Sequence, residues 1–221
     1  MPLPALLSFI VDNRGKTVPT AENGHVLIAT NCIKNEYLYP VFEKVRYLSD
    51  ETYKNWFRAH PQPGDIIFVN KGTPGRVCMV PKPVNFCIAQ DMIAFRANPQ
   101  KLYNKYLLAV LRSAEMQTQI RNYNVGDVIP HFKKAFLGEL LIPLPDMEVQ
   151  IAIGDMYFDF SDKIVNNTKI NHHLAVRSAT DSLPDIRRGN NVSRKVANLR
   201  LSMRLRMTCS YNGEISVLMV A

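Results

Sequence analysis

The sequence is poor in the features that would announce a reaction centre or a special environment. It holds four cysteines in 221 residues, Cys32, Cys78, Cys87 and Cys209. None forms a Cys-x-x-Cys pair, and the histidines near them lack ligand spacing. Buried free thiols are therefore expected, rather than a zinc site or a disulfide framework. No apolar run reaches the roughly 20 residues that span a bilayer. Met1–Ile10 lacks the basic start and small-residue cleavage site of a signal peptide, so a cytoplasmic protein is the expectation. Charge of one sign is scarcer than the total suggests. The formal net charge is +8, but residues 177–221 hold eight Lys/Arg against three acids, leaving 19 basic and 16 acidic residues in 1–176. The basicity of the main body is mild, and any case for nucleic acid rests on where individual cations sit.

Catalytic motifs are missing as well. No Asn/Asp-Pro-Pro-aromatic loop is present of the kind that grips a flipped base in DNA amino-methyltransferases. The acid-x-Lys pair of common metal-dependent nucleases begins at Asp146 and Glu148 but ends in Gln150, at a helix start. Lys71–Arg76 is glycine-rich yet lacks the Gly-Lys-Ser/Thr of a nucleotide-phosphate loop. No Gly-x-Ser-x-Gly elbow, Cys-His signature or His-Glu-x-x-His occurs. These absences point to a binding module.

What is there reads as a globular domain followed by an appendage, from a composition of 47% apolar and 21% charged residues. Val26–Thr30 is a short β-prone run. Asp50–Phe57 has helical spacing of Tyr53, Trp56 and Phe57, with Ser49 or Asp50 as its N-cap. Ile66–Val69 is a continuous β-branched and aromatic run, expected to be buried on both faces. It meets the turn hexamer Asn70–Gly75, and Arg76–Val80 returns, which predicts a hairpin. Phe86–Ala89 and Met92–Phe95 supply further strands, Leu102–Arg121 an amphipathic helix, and Leu140–Ile142 a closing strand. Short strands and helices without a regular alternation predict an α+β class, a compact mixed α/β domain over residues 1–145.

Two loops carry candidate binding residues. The hairpin tip offers Lys71, Thr73 and Arg76 around two glycines. Glycine lets backbone approach a phosphate, Lys and Thr suit the sugar-phosphate chain, and Arg can fork onto guanine. A solvated turn is the alternative. Asn122–Lys134 adds Tyr123, Asn124, His131, Lys133 and Lys134 just before the closing strand. Gln90 and Asp91 either hydrogen-bond bases or brace the hairpin from inside.

Pro143 and Pro145 end the domain, and Asp146 can cap a helix over 146–176. Val149, Ile153, Met156, Phe160, Ile164, Asn167, Asn171 and Leu174 fall at four- and three-residue steps, the seam of a coiled coil over about four heptads. An ordinary surface helix packed on its own domain would share much of this pattern. Asparagines in the seam favour a partner helix, because buried Asn fixes register. Residues 177–221 form an atypical basic tail. There, Leu199–Met207 suits neither a helix stripe nor a buried strand, and order is expected to be poor.

Taken in order, Gly64-Asp-Ile-Ile-Phe-Val with Gly72-Thr-Pro-Gly, Gly126-x-x-Ile-Pro-His131-Phe, and Leu140-x-Ile-Pro-Leu-Pro145 with Gln150 and Ile153 resemble the DNA specificity subunit of type I restriction-modification systems. Asp159, Lys163-Ile164 and Asn167 are similar to that family's spacer helix, and the likeness covers roughly residues 6–176. The resemblance implies a target recognition domain that reads half of a split site in double-stranded DNA, joined to a helix acting as a ruler. It implies docking to methylation and restriction subunits, which would bind S-adenosylmethionine, ATP and Mg; this chain would bind no cofactor. Family members have two such domains and two antiparallel helices. One domain and one helix imply either a half-length subunit that dimerises or a truncated or frameshifted product. A non-DNA-binding coiled-coil regulator of the same system is the other reading.

Overall fold

The computed structural model describes residues 1–13, 16–126, 128–181, 204–209 and 215–220. The chain divides into two compact units, Met1–Asp162 and Lys163–Ala221.

The first unit is built on two sheets. One has the order β1-β7-β4-β5, from β1 (Leu7–Asp12), β4 (Ile66–Val69), β5 (Val77–Met79) and β7 (Met92–Ala97). Its neighbouring strands are all antiparallel. The other joins β2 (His25–Ile28), β3 (Arg46–Leu48) and β6 (Phe86–Ile88) in the order β3-β2-β6, with β2 and β6 parallel. Helix α1 (Asp50–Asn55) starts where Ser49 Oγ accepts from Thr52 N at 3.2 Å. That is the expected cap.

The β4–β5 hairpin has the anticipated pairing, Ile66 opposite Met79 and Phe68 opposite Val77. Every residue of β4 is buried, as a two-face-buried strand requires. Alternation divides the two faces. Ile67, Val69, Cys78 and Ala94 join Leu27, Phe86 and Ile88 in the core between the sheets. Phe68 lies on the other face with Phe95 and Phe132, both at 5.5 Å between ring centroids. Cys32, Cys78 and Cys87 are buried free thiols. Burial pushes the Cys87 thiol up to about 12 and Cys78 higher still, so both stay protonated and inert.

Several expectations need correction. The single helix over Leu102–Arg121 is two: α2 (Asn104–Arg112) and α3 (Ala114–Asn122). Ser113 is extended and caps α3, its Oγ accepting from Met116 N at 3.2 Å. A serine hydroxyl competing for backbone hydrogen bonds outweighs a continuous apolar face. Leu140–Ile142 forms no strand. Instead, Leu141 makes an isolated bridge with Pro2 after a 3-10 turn over Lys134–Glu139. β1 and β3 were not anticipated: β1 interrupts its apolar residues with Ser8, and β3 is only three residues, Arg46–Leu48.

Helix α4 (Met147–Asp181) begins after Pro145 and runs across the boundary between the units. In the second unit β10 (Arg204–Cys209) pairs antiparallel with β11 (Ile215–Val220), Leu205 opposite Met219. The Arg-Leu-Arg-Met alternation thus falls in a two-stranded ribbon with the two-residue period of a strand. Residues 182–203 of the expected tail lie outside the described residues.

Candidate nucleic-acid interface

Strand order brings one set of strand ends to a single edge. β1 ends at Asp12 opposite Ile93, and β4 ends at Val69 opposite Met92. The ends of β1 and β4 therefore lie beside the starts of β7 and β5, and the hairpin tip Asn70–Arg76 projects from this edge. A second hairpin, β8 (Asn124–Val125) with β9 (His131–Phe132), is stitched onto that tip. Lys71 and His131 form an antiparallel bridge. Phe132 N donates to Asn70 O at 2.8 Å, and Gly72 N donates to Pro130 O at 2.9 Å. Asn70 N donates to Asp91 O at 3.0 Å, so the Asp91 backbone braces the hairpin from inside. Lys134 reaches the end of β1, where it is ion-paired with Asp12.

Two loops distant in sequence thus become one surface. Lys71, Arg76 and Lys133 are exposed on it, and none makes an ion pair among the described residues. Thr73 and His131 are half-buried, and among the described residues Thr73 Oγ1 and His131 Nδ1 have no hydrogen-bond partner. The Lys134 charge, by contrast, is offset by the Asp12 carboxylate. Tyr123 ends α3 and packs against Phe136 at 5.4 Å, supporting the loop from beneath. The two tip glycines differ. Gly72 has φ +85° and open space around its missing Cβ, so backbone there is free to approach a ligand. Gly75 is buried: a Cβ would lie 3.0 Å from Gln117 Oε1 and 3.1 Å from Ile120 Cγ2. Its smallness serves close packing on α3.

Sequence reasoning missed two asparagines at this end, Asn13 and Asn70, though it named Asn124. Asn13 and Asn70 are 1% and 4% exposed. Among the described residues, both Asn13 amide atoms, Asn70 Oδ1 and Asn124 Oδ1 lack partners. An unpaired buried polar atom costs about 1–3 kcal/mol, so their concentration at one edge marks a region not optimised for stability alone. The only sequence signal was an Asn just beyond the strand runs.

α4 presents two faces. On one, Gln150 is 2% exposed. Its Oε1 accepts from Tyr103 N at 3.0 Å, and its Nε2 donates to Pro145 O at 2.9 Å and Lys101 O at 3.2 Å. A Cβ on Gly154 would lie 2.7 Å from Tyr106 N, so only glycine lets the helix come this close to α2. Asp155 accepts from Lys105 and Tyr103, and the Lys105 hydrogen bond holds its carboxyl below the usual range. On the other face Val149, Met156, Phe160, Ile164 and Leu174 are exposed, with Asn167 and Asn171 in the same stripe and Ile153 half-buried at its border. The start of α4 thus packs on its own domain, while most of this stripe is exposed.

A family model for the type I restriction modification DNA specificity domain matches residues 17–175. The chain belongs to this family. Among solved structures, it is similar to the HsdS subunit from Thermoanaerobacter tengcongensis, at 17% identity and a TM-score of 0.56, covering 87% of this chain and 51% of that one. It is also similar to a chain described under "Structural basis underlying complex assembly and conformational transition of the type I R-M system", at 17% identity and a TM-score of 0.55, covering 80% and 41%. These likenesses establish a shared mixed α/β fold, and the chain spans about half or less of those chains. No curated protein matches it. The matched span of the specificity domain takes in both stitched loops and α4 as far as Ala175. Among the described residues no helix is long and apolar enough to cross a membrane, and no group of three His, Cys, Asp or Glu is placed to hold a metal.

Proposed function

We propose that this specificity domain reads one part of a split site in duplex DNA through the edge formed by Asn70–Arg76 and His131–Lys134. The observation that carries the reading is the stitching of two cation-bearing loops at one sheet edge, in a chain of this family. Lys71 and Lys133 hold phosphates and set register, while Arg76 reads a base edge. α4 is the spacer. Its stripe of Ile153, Met156, Phe160, Ile164, Asn167, Asn171 and Leu174 pairs with a second helix, from another copy of this chain or from the other half of a longer subunit. The exposure of most of that stripe supports the pairing. The assembled spacer presents the domain to methylation and restriction subunits, where S-adenosylmethionine, ATP and Mg act; this chain is non-catalytic.

The test is footprinting of the chain together with its methylation partner. The expected result is a discrete protected site that persists as salt rises. Uniform protection that disappears at modest salt would refute sequence reading. The neutralised Lys134 and the mild body charge favour a second reading, a coiled-coil regulator that does not touch DNA. Recovery of the methylation subunit on this chain, without DNA binding by the complex, would establish it.

A further inference from the structure

The apex of the β8–β9 hairpin is apolar and is held in place. Val128 is 93% exposed and Ile129 55%, and Pro130 follows. Isolated exposed apolar side chains are ordinary, but these are consecutive and the turn beneath them is fixed. Gly126 has φ +94°, and a Cβ there would lie 2.8 Å from Ile129 O, so only glycine permits so tight a reversal. Asn124 and Val125 pair with Phe132 and His131. Pro130 O accepts from Gly72 N at 2.9 Å, tying the apex to the neighbouring hairpin. Lys71 and Lys133 flank this base, exposed and without an ion pair among the described residues. The acid that precedes Val128 in sequence, Asp127, lies outside the described residues.

An apolar tip with cations at its foot is complementary to duplex nucleic acid. Phosphates take the cations, and a gap between stacked base pairs takes the apolar side chains. An apolar protein groove would accept Val128 and Ile129 but would leave both lysines to be desolvated.

We propose that Val128 and Ile129 form a wedge that enters one base step of the bound duplex and unstacks it. The inference rests on the DNA-reading assignment above and adds to it a way of reading sequence without base-edge hydrogen bonds. Steps that unstack easily, pyrimidine–purine steps above all, would be preferred at the wedge.

The experiment uses the full chain assembled with its methylation partner, on DNA carrying the footprinted site, with 2-aminopurine walked through each position. Binding is expected to brighten the probe at one step. The double substitution Val128→Ala/Ile129→Ala should abolish that rise and weaken binding about tenfold, from the apolar surface lost. Ile129→Leu should retain both. Both residues are exposed, so an unchanged thermal midpoint confirms that the variants fold. The proposal is overturned if no step brightens, or if the double variant brightens as the parent does. It is also overturned if the double variant releases the methylation subunit while DNA contact persists, which would make the apex a protein dock. If the parent complex gives no site-specific footprint, the DNA-reading assignment itself falls and the wedge with it.

Discussion

Replacing Gln150 tests how the spacer is anchored. The side chain is 2% exposed and fills three hydrogen-bonding positions at once, Tyr103 N, Pro145 O and Lys101 O. Gln150→Leu keeps much of the volume and removes every bond. A typical bond contributes about 0.5–1.5 kcal/mol, and a buried group left unpaired costs about 1–3 kcal/mol. The Tyr103 N–H loses its acceptor outright, whereas carbonyls tolerate under-pairing better. The sum is about 3 kcal/mol, which lowers the melting temperature by about 6–12 °C. Gln150→Glu restores only the acceptor and sets a carboxylate against two carbonyls. Its penalty should therefore grow as pH rises above about 4, where glutamate ionises. Thermal melts of the full chain, with hydrogen exchange at Lys101–Lys105 and Met147–Phe158, measure both effects. If Gln150→Leu melts with the parent and leaves exchange at Tyr103 unchanged, the anchoring argument is wrong.

Three further outcomes follow from the same geometry. Arg76→Ala should relax base preference, whereas Lys133→Ala should weaken binding to all sequences alike and lower the salt slope by about one; affinities on a panel of altered sites would show the opposite pattern if the roles are reversed. Asp12→Asn releases Lys134 and should raise affinity for non-cognate DNA while steepening its salt dependence; an unchanged slope in a binding titration would mean that Lys134 faces no phosphate. His60 is stacked on Tyr53 at 4.3 Å, with Cys87 Sγ 3.6 Å from its Nδ1. Burial foremost, then the charge of His25, hold its pKa below the ordinary 6.5, against a hydrogen bond to the Tyr53 backbone. Its contribution to stability is thus present above pH 6.5 and lost as pH falls through the lowered value. Melts between pH 7.5 and 5 should show less acid destabilisation for His60→Phe than for the parent, and equal slopes would contradict the assignment.

The hairpin was legible because its signals are local: an apolar run, a glycine-rich turn and a returning strand. Its two-sided burial followed from the absence of alternation in Ile66–Val69. The stitching of Lys71 to His131 was not legible, because it is a pairing between segments 60 residues apart that have no strong strand character of their own. The same is true of the Asp12–Lys134 ion pair, since β1 is Leu-Ser-Phe-Ile-Val-Asp, with only Val11 fully buried. The break at Ser113 escaped because apolar periodicity continues across it, while one hydroxyl decides the backbone. On α4 the heptad steps identified the exposed stripe. They could not reveal that Gln150 and Gly154 bind the opposite face to α2, since a glycine in a helix reads as a weakness until its neighbour is known. The candidate cations were visible as residue types; which of them remain unpaired was settled only by tertiary structure.

Photo-crosslinking from single positions tests most directly whether the stitched edge meets DNA. A crosslinker placed at Lys71 or Lys133, and as a control at Gln100 beyond the far end of β7, would be activated in the assembled complex on its footprinted site. The account predicts DNA adducts from Lys71 and Lys133 at neighbouring nucleotides and none from Gln100. Adducts from Gln100 alone, or adducts from neither loop on a protected site, would contradict it.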